Sequence, residues 1–311
     1  MNQKTKCIKC GLLIDDNVKY CPYCGHPQQS EESEKSATSF EQTENNTESK
    51  SQEATQEQKQ ENTIAIEQKP IKFFDFPTKA NNFNVIKMLL YFIIGLIGIN
   101  ALGMIYRAII GALDNAYFAY TTQGSASVNF SLYLIIFGTF LCIANKDIID
   151  CFKNLNKFSK WAQGFGFGFL LLVVSAAVSA LMMLFYDGGV NNNETGVRSI
   201  TEVYPLLSIL IMGIIGPFVE EFTYRVGLFN LVRRWNRYVA YIATAIIFGL
   251  IHFDFASTDM LNEFMNLPSY IVSGLMLCYF YDYGGFECSF IAHATNNLFA
   301  LIIQLILRQY S

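Results

Sequence analysis

Charge is what this sequence has least of. Lys, Arg, Asp and Glu make up 15% of its 311 residues, against about 25% in an ordinary soluble chain. An excess of positive charge is missing too, since 22 Lys and Arg face 26 Asp and Glu for a net −4. No large cationic face can be assembled from that stock, which excludes a strongly basic nucleic-acid binder. Histidine is scarce, at three residues, and tryptophan scarcer, at two. The charge that exists is unevenly spread. Residues 27–70 hold ten acids and four lysines, so the acidity of the chain belongs to one short stretch and one uniform globule is excluded. Apolar residues are abundant, at 52%, and aromatics reach 15%, with 27 Phe and 17 Tyr. That aromatic load points to a bilayer and its interfaces.

Three regimes follow one another. Residues 1–26 contain Cys7-Ile-Lys-Cys10-Gly11 and Cys21-Pro-Tyr-Cys24-Gly25. Two CxxC knuckles bring four thiolates within reach of a tetrahedral Zn²⁺, and the glycine after each pair lets the knuckle turn. A segment this short cannot build its own core, so metal binding would supply most of its folding energy. The segment resembles short zinc-ribbon domains, with Cys7, Cys10, Cys21 and Cys24 as the structural zinc ligands. Two disulfides or a redox CxxC are the competing readings; reduced thiols suit a cytosolic compartment. His26 is read as a surface residue, since four thiolates fill the site. The ribbon is expected to be a tethered binding or regulatory module for a protein partner. Residues 27–70, rich in Gln, Glu, Ser, Thr and Asn, are expected to be a disordered acidic linker, because they bury too little to offset their ordering entropy.

The third regime, 71–311, is expected to be a transmembrane domain. Apolar stretches recur near the length of about 20 residues that crosses a bilayer, at 84–106, 128–145, 162–186, 205–225, 238–256, 265–283 and 286–307. The fold class is therefore an all-α, polytopic transmembrane helix bundle of about seven spans, six or eight being the alternative counts. GFGFGF at 164–169 suits close helix packing in lipid. Lys146, Lys153, Lys157 and Lys160 lie between spans two and three, and Arg233, Arg234 and Arg237 between spans four and five. The loops after spans three and five are acidic instead, with Asp187, Glu194 and Glu202, then Asp254, Asp259 and Glu263. By positive-inside logic the basic loops and the N-terminus are cytoplasmic, in agreement with the ribbon's reduced thiols. The expected location is a multi-pass integral membrane protein, in the plasma membrane if the source is bacterial.

Ionisable residues inside a membrane are costly and mark functional sites. Span four carries Glu220, Glu221 and Arg225, span five His252, and span seven His293, with Asn296 and Asn297 beside it. Glu220 lies 14 residues before Arg234, and His252 lies 14 after Tyr238, which places both about 21 Å from one boundary. His293 fits less well, at about 10 Å from the Phe286 end; a dipping loop at Tyr283-Gly284-Gly285, or an eighth span, would close the gap. Glu221 and Arg225 are i,i+4 and can neutralise each other, leaving Glu220 rotated away, free to face a cavity. Pro217 is expected to start a fresh helical segment. Phe248 sits one turn before His252, and His293 and Asn297 are again i,i+4.

EEFTYR at 220–225, FGLIH at 248–252 and HATNN at 293–297 resemble EExxxR, FxxxH and HxxxN motifs. In this order, in apolar helices, they are similar to the CPBP (Abi) family of intramembrane proteases, which includes type II CAAX prenyl endopeptidases and bacteriocin self-immunity proteins. The resemblance covers about 160–308. It departs at one point: the family's Gly after the Arg is Val226 here, with Gly227 one place on. The resemblance implies an endopeptidase acting on a membrane-embedded or lipidated peptide from a cavity open to the cytoplasmic leaflet. Glu220 is the implied general base, His252 holds and polarises the water, and His293 and Asn297 are oxyanion donors. Glu221 and Arg225 are the pair that orients Glu220, with Phe248 in support.

A catalytic metal on Glu220, His252 and His293 is the competing mechanism, a His₂Glu set; no HExxH accompanies it. Neither GxSG nor GxGD occurs, which disfavours serine and aspartyl intramembrane proteases. A structural polar network, a non-catalytic scaffold or immunity protein, and a coupled transporter are the other readings of the same residues. Cys142, Cys151, Cys278 and Cys288 are read as packing residues, and Trp161 and Trp235 as interface anchors. Arg233, Arg234 and Arg237 are read as topology determinants, with anionic lipid as a second role.

Overall fold

A computed structural model describes residues 4–8, 13–16, 18, 21, 76–113, 118, 121–186 and 188–308. The expected linker at 27–70, His26, and two of the four ribbon cysteines, Cys10 and Cys24, lie outside the described residues. The chain divides into two units, the first running mainly to Pro77 and the second mainly from Thr78 to Ser311.

In the first unit, β1 (Lys4–Lys6) pairs antiparallel with β2 (Leu13–Asp15), Thr5 opposite Ile14. Ile14, Cys7 and Cys21 are buried. Among the described residues of this unit, one aliphatic side chain and two cysteines are buried.

The second unit is an all-α membrane helix bundle. Its helices are α1 (Val85–Leu113), α2 (Thr122–Ile143), α3 (Asn145–Cys151), α4 (Phe158–Met183), α5 (Asn192–Val203), α6 (Pro205–Arg233), α7 (Arg237–Leu250), α8 (Met260–Gly284) and α9 (Phe286–Arg308). Five of them, α1, α2, α4, α6 and α9, are long and apolar enough to cross a membrane. The other two expected spans differ in kind. With 14 residues, α7 extends about 21 Å, short of a hydrocarbon core of about 30 Å. At 25 residues α8 is long enough, but it carries Asn262, Glu263, Asn266 and Asp282 and is too polar to meet the same criterion. The amphipathic α5 falls in what the sequence presented as a loop. Its N-cap Asn191 accepts from the Glu194 N–H, and Glu194 pairs with Arg198 one turn on at 2.9 Å.

Two features of α6 position the site. Pro217 does not start a new segment. The helix runs through it, wound as π-helix over Ile211–Ile215 and again over Glu221–Phe229. The Gly216 N–H reaches back five residues to the Ile211 carbonyl, so the widened turn absorbs the donor that Pro217 lacks. The second π stretch explains the displaced glycine. Val226 is buried, and Gly227 faces the backbone of α1: a Cβ there would stand 2.9 Å from the Phe92 nitrogen and 3.1 Å from the Met88 carbonyl oxygen. Because backbone cannot step aside, Gly227→Ala is expected to destabilise the bundle by about 1–3 kcal/mol. Thermal unfolding of the detergent-solubilised protein measures this. The 164–169 glycines divide the same way. Gly164 and Gly168 press on Ile291 and Thr295 of α9, while a Cβ on Gly166 would meet nothing.

The end bearing the basic loops is closed. Buried Asp282 of α8 pairs with Arg237 at 2.7 Å, accepts from the Tyr241 hydroxyl at 2.9 Å, and is bonded by Thr78. Buried Arg233 donates to the Asn230 side chain and the Asn81 carbonyl, and Arg234 to Asn82. These arginines thus hold the segment before α1 in addition to the topological role read from sequence. Gly285, at φ 87°, is the one non-helical residue between α8 and α9, a conformation that favours glycine.

Among the remaining cysteines, Cys151, Cys278 and Cys288 are buried and Cys142 is exposed on α2. Burial, then the neighbouring Asp150 carboxylate, holds the Cys151 thiol well above its usual range, consistent with a packing role. Trp161 and Trp235 are exposed.

Candidate active site

A cavity of ≈ 430 Å³ is lined by Glu220 of α6, Phe248 and His252 at the end of α7, and His293 and Asn297 of α9. All the residues expected to act in chemistry therefore border one space. Its floor is buried: Glu220, Phe248 and His293 are each under 9% exposed.

Glu221 and Arg225 are fully buried and pair at 3.0 Å. The Arg225 guanidinium also lies over the Phe248 ring, 4.5 Å from its centre. The pair's other contact differs from expectation. Glu221 Oε1 lies 2.9 Å from His293 Nδ1, so the pair orients His293 directly. A carboxylate accepts, so Nδ1 carries hydrogen. The other ring nitrogen, Nε2, is 3.8 Å from Glu220 Oε2, beyond a hydrogen bond. His252 is fixed by the same logic. Its Nδ1 is 2.8 Å from the Phe248 carbonyl oxygen, which can only accept, and this leaves the lone pair of the neutral ring on Nε2. The His252 ring stacks on Tyr270 at 4.6 Å and 15°. Asn297 donates through Nδ2 to the Met212 carbonyl at 3.2 Å and accepts from Asn296 at 3.1 Å.

Sequence reasoning missed Tyr133. Its hydroxyl donates to Glu220 Oε1 at 2.8 Å, which leaves Oε2 as the buried oxygen with no hydrogen-bond partner among protein groups. Tyr133 lies on α2, in the middle of an apolar run where nothing but its hydroxyl marks it. A second missed residue, Glu263, is buried and accepts from the Asn192 N–H at 2.9 Å and the Asp254 N–H at 3.0 Å. Asn191 donates to the His252 carbonyl at 2.9 Å. Together they fix the non-helical stretch after His252.

The His293 discrepancy in depth has a structural answer. Phe286 begins α9 within ring contact of Phe218 and Phe222, at 5.9 and 6.1 Å. The α8–α9 turn is therefore recessed into the bundle, with Gly284 and Phe286 buried. Residues 78–81 cover it, with the Lys79 N–H on the Asp282 carbonyl at 2.7 Å.

Among the described residues, no three His, Cys, Asp or Glu side chains are gathered to hold an ion, and the competing His₂Glu set of Glu220, His252 and His293 is not assembled.

Residues 202–299 match the family described as Type II CAAX prenyl endopeptidase Rce1-like. Over that part the chain is similar to Rce1-like proteins. The match contains Glu220, Glu221, Arg225, Phe248, His252, His293 and Asn297, whereas Tyr133 lies outside it. Residues 6–28 match a zinc-ribbon domain. Among curated relatives, the chain is 25% identical to UPF0177 protein YvdC of Lactococcus lactis subsp. lactis (strain IL1403), over 45% of this chain and 51% of the relative. It is 29% identical to Membrane-embedded CAAX protease MroQ of Staphylococcus aureus (strain USA300), over 45% of this chain and 56% of the relative. The chain thus spans about half the length of the curated relatives it matches. No solved structure matches it.

Proposed function

We propose that this CAAX-protease-type membrane protein is an intramembrane endopeptidase that hydrolyses a membrane-embedded or lipidated peptide without a catalytic metal. The observation that carries the reading is Glu220: a buried cavity-lining carboxylate with one oxygen held by Tyr133 and the other, beside His293, without a hydrogen-bond partner among protein groups. That free oxygen acts as the general base on water, and Nε2 of His252 accepts the water's second hydrogen and holds it for attack. As the carbonyl oxygen gains charge, Asn297 donates the Nδ2 hydrogen that Met212 leaves over. In the form with hydrogen on both ring nitrogens, His293 keeps Nδ1 on Glu221 and donates from Nε2. Both donors are set before reaction, which is where most of the stabilisation of such sites arises.

The zinc ribbon is proposed to hold one structural zinc through Cys7, Cys10, Cys21 and Cys24 on the cytoplasmic side. The boundaries 1–26, 27–70 and 71–311 are proposed as its domain, the linker and the membrane domain, with a protein partner for the ribbon.

Tyr133→Phe tests the positioning of the base. A hydrogen bond to a charged group contributes about 1.5–3 kcal/mol. The variant is expected to lose roughly 10- to 100-fold in kcat with KM little changed. The overall reading is tested in membranes from cells making the wild type or Glu220→Gln. Precursor peptides should accumulate, and their shortened products vanish, only in the variant. Identical peptide profiles would leave a non-catalytic scaffold as the better account.

A further inference from the structure

The cavity has one closed end and one open end, and the two differ in charge. Toward the basic loops, a cluster of phenylalanines packs next to the floor residues Glu220 and His293 in sequence. Phe218 stacks on Phe222 at 5.7 Å, and Phe152, Phe286 and Phe290 join them at 5.2–6.2 Å. Behind these rings lies the ion-paired layer of Asp282, Arg237 and Arg233. Lys160 bonds the Gly284 carbonyl and Asn154 bonds Glu287 at 3.0 Å, so both basic loops lie at this end.

In the opposite direction the cavity wall becomes polar and exposed. From α4 it takes Ser175, Ser179 and Met183, from α5 Asn193 and Arg198, and from α9 Gln304. Met183, Asn193 and Arg198 are exposed, whereas the floor at Glu220 and His293 is not. This is also the acidic end. Asp254 and Glu263 tie α5 to the stretch after His252, and Tyr186 donates to Asp259 at 2.9 Å. Helix α4 runs from one end to the other, from Lys160 to Met183.

Lysine and arginine bias sets orientation in the bilayer. We infer that the cavity opens on the extracytoplasmic side, and that its substrate is a peptide segment presented there, in the outer leaflet or emerging from it. This replaces the cytoplasmic opening expected from sequence alone. It rests on the peptidase reading for the word substrate, but not for the direction of the opening. A peptide tethered at the cytoplasmic face would meet the Asp282 layer and then the phenylalanine cluster beside the base.

The test uses the full chain in intact cells with a membrane-impermeant maleimide, read peptide by peptide in the mass spectrometer. Thr258→Cys reports the acidic end, Lys153→Cys the basic end and Ser179→Cys the cavity wall. Thr258→Cys and Ser179→Cys are expected to react from outside, and Lys153→Cys only after the membrane is opened. Labelling of Ser179→Cys should also block formation of the shortened peptides. Labelling of Lys153→Cys alone from outside, or protection of Ser179→Cys while Thr258→Cys reacts, overturns the inference. External labelling of both, combined with no peptide difference between wild type and Glu220→Gln, keeps the opening and removes the peptidase.

Discussion

Glu220→Gln is expected to lower peptide cleavage by about 10²- to 10⁴-fold, the usual contribution of a positioned base, and to leave the protein inserted and as stable as the parent. The argument rests on which oxygen does what. The amide keeps the shape of the carboxylate and an acceptor for the Tyr133 hydroxyl, so the local packing of α2 on α6 survives. What disappears is the proton-accepting capacity of the oxygen beside His293. Loss of activity without loss of fold separates this substitution from a structural role. A turnover assay on wild type and variant, with thermal unfolding of both, measures the two quantities side by side.

The second large effect concerns stability. Arg225→Met leaves Glu221 fully buried without its counter-charge, and breaking a buried pair from one side costs about 3–5 kcal/mol. The loss should propagate, because Glu221 also holds His293 and Arg225 caps the Phe248 ring. The protein is expected to unfold many degrees earlier in detergent. The double variant Glu221→Gln, Arg225→Met should recover much of the stability, since no bare charge remains, without recovering activity. Equal stability of the single and double variants would show that the pair is not the source of the effect.

Much of the site was legible because charge is so scarce. In three apolar segments almost every ionisable residue falls in a motif, and Glu220, Glu221, Arg225, His252 and His293 could be named without coordinates. Their neighbours were not. Tyr133 lies in an apolar run that reads as packing, and Glu263 reads as a loop acid until α8 begins at Met260 and buries it. The seven apolar stretches each correspond to a helix, but hydropathy carries no sign of the two π stretches of α6. Only the structure shows them, with Gly227 against the α1 backbone and Pro217 inside a continuous helix. Nor does spacing along α9 reveal a recessed turn; depth counted from Phe286 assumed that the turn lay at the surface. The direction in which the cavity opens needed both the charge pattern and the position of the phenylalanine cluster.

The most direct measurement is cleavage by the purified full chain reconstituted in lipid, supplied with a precursor peptide that accumulates in Glu220→Gln cells. The account predicts that the wild type releases the shortened peptide in the presence of a strong chelator, and that Glu220→Gln releases none above the roughly 10²-fold lower background. Release at equal rates by both proteins would contradict it.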